Sequence, residues 1–216
     1  MKPWLSDILA CPIDKYYPLE LLILKWETNI SEIEEFLKIY KIRDEKLINN
    51  EELIKFSETE NHIKIRDSIA LKSKKSVDYL NAINSSIQEL NNINNLTKEP
   101  EIDKCIDLLK TSVKRKIEST INQISKEDKK EKIKEIINSI LPELYLINKF
   151  KIDTEIEEGI LFCSKCNRWY PIVETIPQML PDKYRNENED IAFLNKWKQI
   201  LEQINFFQRK LIPFNK

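Results

Sequence analysis

Cys163-Ser-Lys-Cys166 places two thiols two residues apart, between the apolar, strand-like runs Ile156 to Phe162 and Arg168 to Val173. On a tight turn such a pair can grip one zinc ion, each sulfur at about 2.3 Å. A structural tetrahedral site needs four ligands, so the pair must find others elsewhere in the chain. Cys11, followed by Pro12 in a loop ahead of another strand-like run, is the third candidate. For the fourth, Asp14 offers a carboxylate oxygen, and water is the alternative. Tyr16 would have to ionise a phenol with a pKa of about 10, which disfavours it. The remaining cysteine, Cys105, lies beside Ile106 in a helical apolar stripe and reads as an ordinary buried thiol.

Other chemistries lack their residues. The chain has 216 residues and a single glycine, Gly159, where average usage gives about 15. GxGxxG and GxxxxGK[ST] loops need several positions without a Cβ, so no nucleotide or S-adenosylmethionine loop of that kind is present in this sequence. At Gly159 itself a positive φ or a close backbone approach is expected. The single histidine, His62, lies in the polar, helix-patterned stretch NHIKIRDS and reads as a solvated side chain. With neither a nucleophile–base pair nor an open metal site to assign, the chain reads as not an enzyme, with no catalytic residue. Charged residues make up 33% of the chain, yet the formal net charge is -1, which gives no global pull toward nucleic acid or anionic lipid. No apolar run approaches the ~20 residues that span a bilayer, and MKPWLSDILACPIDK lacks a signal-peptide pattern. A cytosolic protein is expected, where cysteines are metal ligands or free thiols rather than disulfides.

These candidates must be positioned by the elements around them. Residues 1 to 26 are apolar and proline-marked, ending in the strand-like LELLILKW. From Glu27 to about Phe150 apolar residues recur three and four apart: Ile33, Phe36, Leu37; Leu47, Ile48, Leu53, Ile54; Leu80, Ile83, Ile87, Leu90, Ile93; Ile102, Ile106, Leu109, Val113, Ile117; Ile136, Ile137, Ile140, Leu144. Such stripes predict packed amphipathic helices. After Lys151 the pattern returns to period two, and a last helix follows Pro181. The expected fold is α+β: a small zinc-ribbon-like antiparallel β domain built from both chain ends (1–26 with 151–216), a large all-α helical insertion (27–150) and a C-terminal helix.

The two ends together carry a resemblance. Met1-Lys2 with Leu5 to Pro12, and the run GILFCSKCNRWYPIVETIPQMLP, resemble the small zinc-binding activator subunit (Trm-type partner protein) of tRNA, rRNA and release-factor methyltransferases, in an archaeal-like form. Its most specific part is the string Cys163, Cys166, Arg168, Tyr170, Pro171, Ile172, Ile176, Pro177, Met179 and Leu180. The resemblance implies a non-catalytic holdase and activator that pairs with a Rossmann-like methyltransferase, extends its sheet and covers an apolar surface. It implies zinc on this chain and S-adenosylmethionine on the partner. Two departures stand out: the family usually has a second cysteine soon after the first, where CPIDKYYPL has none, and the middle segment is far longer than in compact members.

The docking surface is expected at Ile172, Ile176, Pro177, Met179 and Leu180, because a segment marked by Pro171, Pro177 and Pro181 cannot be a central strand but can form an adaptable edge. Trp4, Leu5, Ile8 and Leu9 would extend it. A competing reading is a stand-alone nucleic-acid-binding zinc-knuckle protein. It rests on two basic stretches, Lys64, Arg66, Lys72, Lys74, Lys75 and Lys110, Lys114, Arg115, Lys116. The two readings are compatible if the insertion contacts RNA while the ends hold the enzyme.

Overall fold

The computed structural model describes residues 1–50, 53–58 and 62–213. In chain order the first half holds β1 (Glu20–Trp26), α1 (Ile30–Ile42), α2 (Glu45–Asn50), β2 (Lys55–Glu58), β3 (Ile63–Arg66), β4 (Lys74–Lys75), α3 (Ser76–Glu89) and β5 (Ile93–Asn95). Then come α4 (Pro100–Leu108), a π-helical turn, α5 (Lys114–Ile124), α6 (Lys130–Asn138) and α7 (Leu141–Asn148). The chain closes with β6 (Ile156–Phe162), β7 (Trp169–Val173), β8 (Ile176–Pro177), α8 (Glu187–Lys196) and α9 (Lys198–Gln203). The α+β class is as expected. Contacts divide the chain into two compact units, 1–28 with 92–98 and 155–216, and 29–91 with 99–154.

The first unit is built on a five-stranded sheet of order β5-β1-β6-β7-β8. The two chain ends meet at its centre, where Glu20 to Ile23 pair antiparallel with Phe162 to Gly159. Phe193, Leu194, Leu201 and Phe206 from the C-terminal segment pack on Leu22, Leu24, Ile160, Phe162 and Trp169 to make the core. The single C-terminal helix expected after Pro181 is two helices, with Trp197 as the junction. The indole N–H of Trp197 donates to Glu158 Oε2 at 2.6 Å, which anchors that junction to β6. Residues 93–95, assigned by their spacing to the end of a long helix, instead form β5, parallel to β1. Side chains hold it there: Trp26 Nε1 donates to Asn95 Oδ1 at 3.0 Å and Asn94 Nδ2 to Glu20 Oε1 at 2.7 Å.

The second unit is mainly helical. All eight residues of α7 are buried, the signature of a helix surrounded by others. Its Glu143 accepts a forked pair from Arg43, at 2.8 and 3.1 Å, so the buried carboxylate is compensated. A second buried carboxylate, Asp67, accepts from the backbone N–H groups of Ile69 and Ala70, from Tyr79 Oη at 2.6 Å and from Asn148 Nδ2 at 2.8 Å. Burial, and then the facing Asp67, push the Tyr79 phenol well above its ordinary pKa, so it stays a donor.

The insertion is not all-α as expected. It contains an antiparallel sheet of order β2-β3-β4, and His62 lies just before β3, exposed. The alternation Ile63-Lys64-Ile65-Arg66 is a period-two pattern four residues long, with Ile63 and Ile65 buried. Helical spacing on both sides of so short a run masks it.

Glycine scarcity has a structural consequence. Among the described residues, seven non-glycine residues adopt positive φ: Lys15, Arg43, Asn167, Glu174, Thr175, Asn205 and Lys210. Glu174 (φ 47°) and Thr175 (φ 67°) are adjacent, at the turn between β7 and β8, a position where glycine or asparagine is the usual choice. The one glycine does not have positive φ; of the two reasons expected for Gly159, the close approach holds. A Cβ there would lie 2.6 Å from the Leu22 carbonyl oxygen and 3.2 Å from Ile172 Cδ1.

Two substitutions involving glycine should therefore have opposite signs. Gly159→Ala pushes the central strands apart and is expected to lower stability by about 1–3 kcal/mol in urea unfolding. Thr175→Gly removes a β-branched residue from the left-handed region and is expected to raise stability by roughly 1 kcal/mol in the same assay.

Candidate metal centre and partner-facing surface

Two loops of the first unit are built alike. In one, the Cys11 N–H donates to Tyr16 O at 2.9 Å, the Lys15 N–H donates to Cys11 O at 2.9 Å, and Lys15 is left-handed at φ 58°. In the other, the Cys163 N–H donates to Arg168 O at 2.8 Å, the Asn167 N–H donates to Cys163 O at 2.8 Å, and Asn167 has φ 57°. Each loop thus presents the side chains at its first and fourth positions. In the second loop these are Cys163 and Cys166; in the first they are Cys11 and Asp14. Asp14 therefore holds the place that a second cysteine would occupy.

The loops converge. One ligand atom from each of Cys11, Asp14, Cys163 and Cys166 lies within 4.8 Å of every other. Cys11 Sγ is 3.6 Å from Cys166 Sγ, and Cys163 Sγ is 3.7 Å from Asp14 Oδ1. Sulfurs at about 2.3 Å from a tetrahedral zinc stand about 3.8 Å apart, so these spacings fit a four-coordinate ion. Three soft thiolates favour zinc or another thiophilic metal over magnesium or calcium. Of the two fourth ligands left open by the sequence, the geometry places Asp14 in the cluster. Cys105 lies in the other unit, buried, with its thiol pushed up to about 12 by that burial.

The surroundings are arranged for charge. Burial pushes the Cys163 thiol up to about 12, against backbone N–H groups of Cys166 and Lys165 that point at it and work the other way. The Asp14 carboxyl, although desolvation opposes this, is held below its usual range by the Tyr16 N–H at 3.0 Å, by the Cys11 and Cys163 thiols and by the Lys165 charge. Three thiolates and one carboxylate would leave the centre negative after a divalent ion is added, and Arg168 and Lys165 are the nearby cations. Arg168 is clamped by both oxygens of Asp182 at 2.9–3.2 Å, which firmly holds its proton. Tyr170 Oη sits 3.2 Å from Cys11 Sγ; desolvation and then the neighbouring thiol suppress its ionisation, leaving a phenol that can donate to a thiolate. The sequence singled out neither the Tyr170 contact nor the Arg168–Asp182 pair. Nothing comparable to the matched spacing of Cys11-x-x-Asp14 and Cys163-x-x-Cys166, which favours Asp14 over water as the fourth ligand, marks either of them in the sequence.

The Trm112p-like protein family model matches residues 2–174. The chain belongs to the Trm112p-like protein family. The match spans both loops and everything between them, so the family assignment and the paired-loop geometry bear on the same residues. Membership implies a methyltransferase partner in general and a non-catalytic, activating role for the Trm112p-like chain. No curated protein and no solved structure matches it. No helix among the described residues is long and apolar enough to cross a membrane.

The expected docking residues of this Trm112p-like chain separate by burial. Ile8 (64% exposed), Ile176 (59%) and Leu180 (42%) present their side chains, while Trp4, Leu5, Leu9, Pro177 and Met179 are half-buried. Ile172 is fully buried in β7, against the position of Gly159, and offers no side chain to a partner. Ile13 in the first loop and Tyr17 just after it are further exposed apolar residues.

Proposed function

We propose that this chain is a non-catalytic activator and holdase subunit. It docks on and stabilises S-adenosylmethionine-dependent methyltransferases that modify tRNA, rRNA or a translation release factor. The observation that carries this reading is the family match across residues 2–174. The β7–β8 hairpin supports it: β8 lies at the sheet edge, its turn is held in a strained conformation, and Ile176 beside that turn is exposed. An edge strand pairs with another chain through its backbone, while exposed apolar neighbours select the partner. The docking unit in this reading is the one formed by the chain ends, 1–26 with 151–216, acting in the cytosol as half of a heterodimer. The partner enzyme brings the S-adenosylmethionine.

Zinc at Cys11, Asp14, Cys163 and Cys166 belongs to the same proposal. Its chemistry here is structural: a closed set of four ligands joins the two loops, and no open position is left for a reacting water. Tyr170 and Arg168 then orient and neutralise the ligand cluster.

Two experiments test the reading. Co-expression of the full chain with methyltransferases of these three substrate classes is expected to raise the soluble yield and methyl transfer of at least one. Ile176→Asp combined with Leu180→Asp is expected to weaken that complex about tenfold or more. Enzymes whose solubility and activity ignore this chain would sink the activator reading. Separately, metal analysis of the purified chain should find one zinc per molecule. Cys166→Ser should lose it, Cys105→Ser should retain it, and Tyr170→Phe should weaken binding by roughly tenfold or more. Metal-free protein that takes up no zinc on titration would remove the metal from the proposal.

A further inference from the structure

The three-stranded sheet of the insertion has two unlike faces. Ile63 and Ile65 of β3 are buried against α3 and α6, which fixes the inner face. Residues directly opposite in a ladder share a face. Lys64 stands opposite Lys75 and Ser57, and Arg66 stands opposite Lys55. The outer face therefore carries Lys55, Lys64, Arg66 and Lys75, with Ser57 as the other residue in register. Glu58 pairs with Ile63 in register, falls on the opposite face and binds Lys134 at 2.7 Å.

This arrangement is costly within the molecule. Like charges placed directly opposite destabilise a sheet, and here two of the three cross-strand pairs of the outer face, Lys64 with Lys75 and Lys55 with Arg66, are cation on cation. Among the described residues no carboxylate forms an ion pair with Lys64, Arg66 or Lys75. Along β3 the two cations stand about 6.7 Å apart, two residues of extended chain, and across the ladder about 5 Å separates neighbours. An array at this pitch suits successive phosphates of a polynucleotide.

We infer that the outer face of β2-β3-β4 binds an RNA phosphate backbone through Lys64, Arg66 and Lys75. Among the described residues the face has no aromatic or aliphatic centre of the kind a stable protein interface desolvates. Leu71, exposed in the loop between β3 and β4, makes an anionic bilayer the competing occupant. One apolar side chain beside a polar sheet face is too little to anchor there, since an interfacial element buries a whole apolar face. The choice of RNA over DNA rests on the activator reading, whose enzymes act on RNA or on the translation machinery; the charge argument does not.

The test is direct binding of fluorescently labelled tRNA transcript to the full chain, with no enzyme present, at 50 and 200 mM salt. Three neutralised phosphates at about 0.7 counterions each give a loss of roughly 20-fold between those concentrations. Lys64→Gln, Arg66→Gln and Lys75→Gln together should abolish most of that salt dependence and weaken binding at 50 mM salt. Their melting temperature should equal or exceed that of the wild type, because two like-charge pairs are relieved. Lys114→Glu with Lys116→Glu, on α5, should leave tRNA binding unchanged. Co-purification of a methyltransferase with the triple variant should persist, which keeps this surface separable from the docking unit. Equal tRNA affinity of the triple variant and wild type would overturn the inference. Tighter binding to a DNA duplex, or to phosphatidylserine vesicles than to tRNA, would overturn it as well.

Discussion

The pairing of β1 with β6 is the constraint on which the rest of the terminal unit depends. Glu20 to Ile23 align with Phe162 to Gly159 across more than a hundred residues of intervening chain. Closing so long a loop costs conformational entropy that grows only slowly with its length, so a long insertion is compatible with the contact. The pairing does more than join the ends. It sets the loop before β1 beside the loop after β6, and the four potential ligands converge from those two loops. The close approach at Gly159 belongs to the same contact: any side chain there meets the Leu22 carbonyl.

Scarcity of glycine shapes how the loops are made. A loop of this kind needs one left-handed residue after its first cysteine, and the chain uses Lys15 and Asn167 for it. Asparagine tolerates that conformation well, whereas lysine and threonine do so at a cost of about 1 kcal/mol or more. The adjacent Glu174 and Thr175 are the extreme case, and they sit at the sheet edge next to exposed Ile176. Strain of this sort persists where surrounding structure holds it, here through the Thr175 N–H to Glu157 O bond at 3.0 Å and the Gln178 N–H to Pro171 O bond at 2.8 Å.

Within the insertion, apolar stripes are supplemented by buried charge that is fully engaged. Asp67 accepts from two backbone N–H groups, a tyrosine and an asparagine, and Glu143 accepts a forked arginine. Neither pattern raises an amphipathic signal, because an acidic residue in a polar stretch looks solvated until its partners are known. The same holds for the basic sheet face: in the sequence Lys64, Arg66 and Lys75 are charges among many, and only strand register puts them on one surface.

The sequence by itself determined the α+β class, the helical stripes of the insertion, the Cys163-x-x-Cys166 pair with Cys11 as a candidate third ligand, and the absence of a glycine-rich phosphate loop. These follow from period, spacing and residue type, which are local properties. Tertiary structure decided what depends on distant partners. It selected Asp14 as the fourth member of the cluster, because that choice needs two loops superposed in space. It made a strand of Ile93-Asn94-Asn95, whose composition disfavours one, through a hydrogen bond donated by Trp26 to Asn95 and one donated by Asn94 to Glu20. It buried Ile172 and exposed Ile176 four residues away, because a turn between β7 and β8 reverses the chain. In each case the deciding energy is a contact between residues far apart in the chain or across a turn, and local pattern does not contain it.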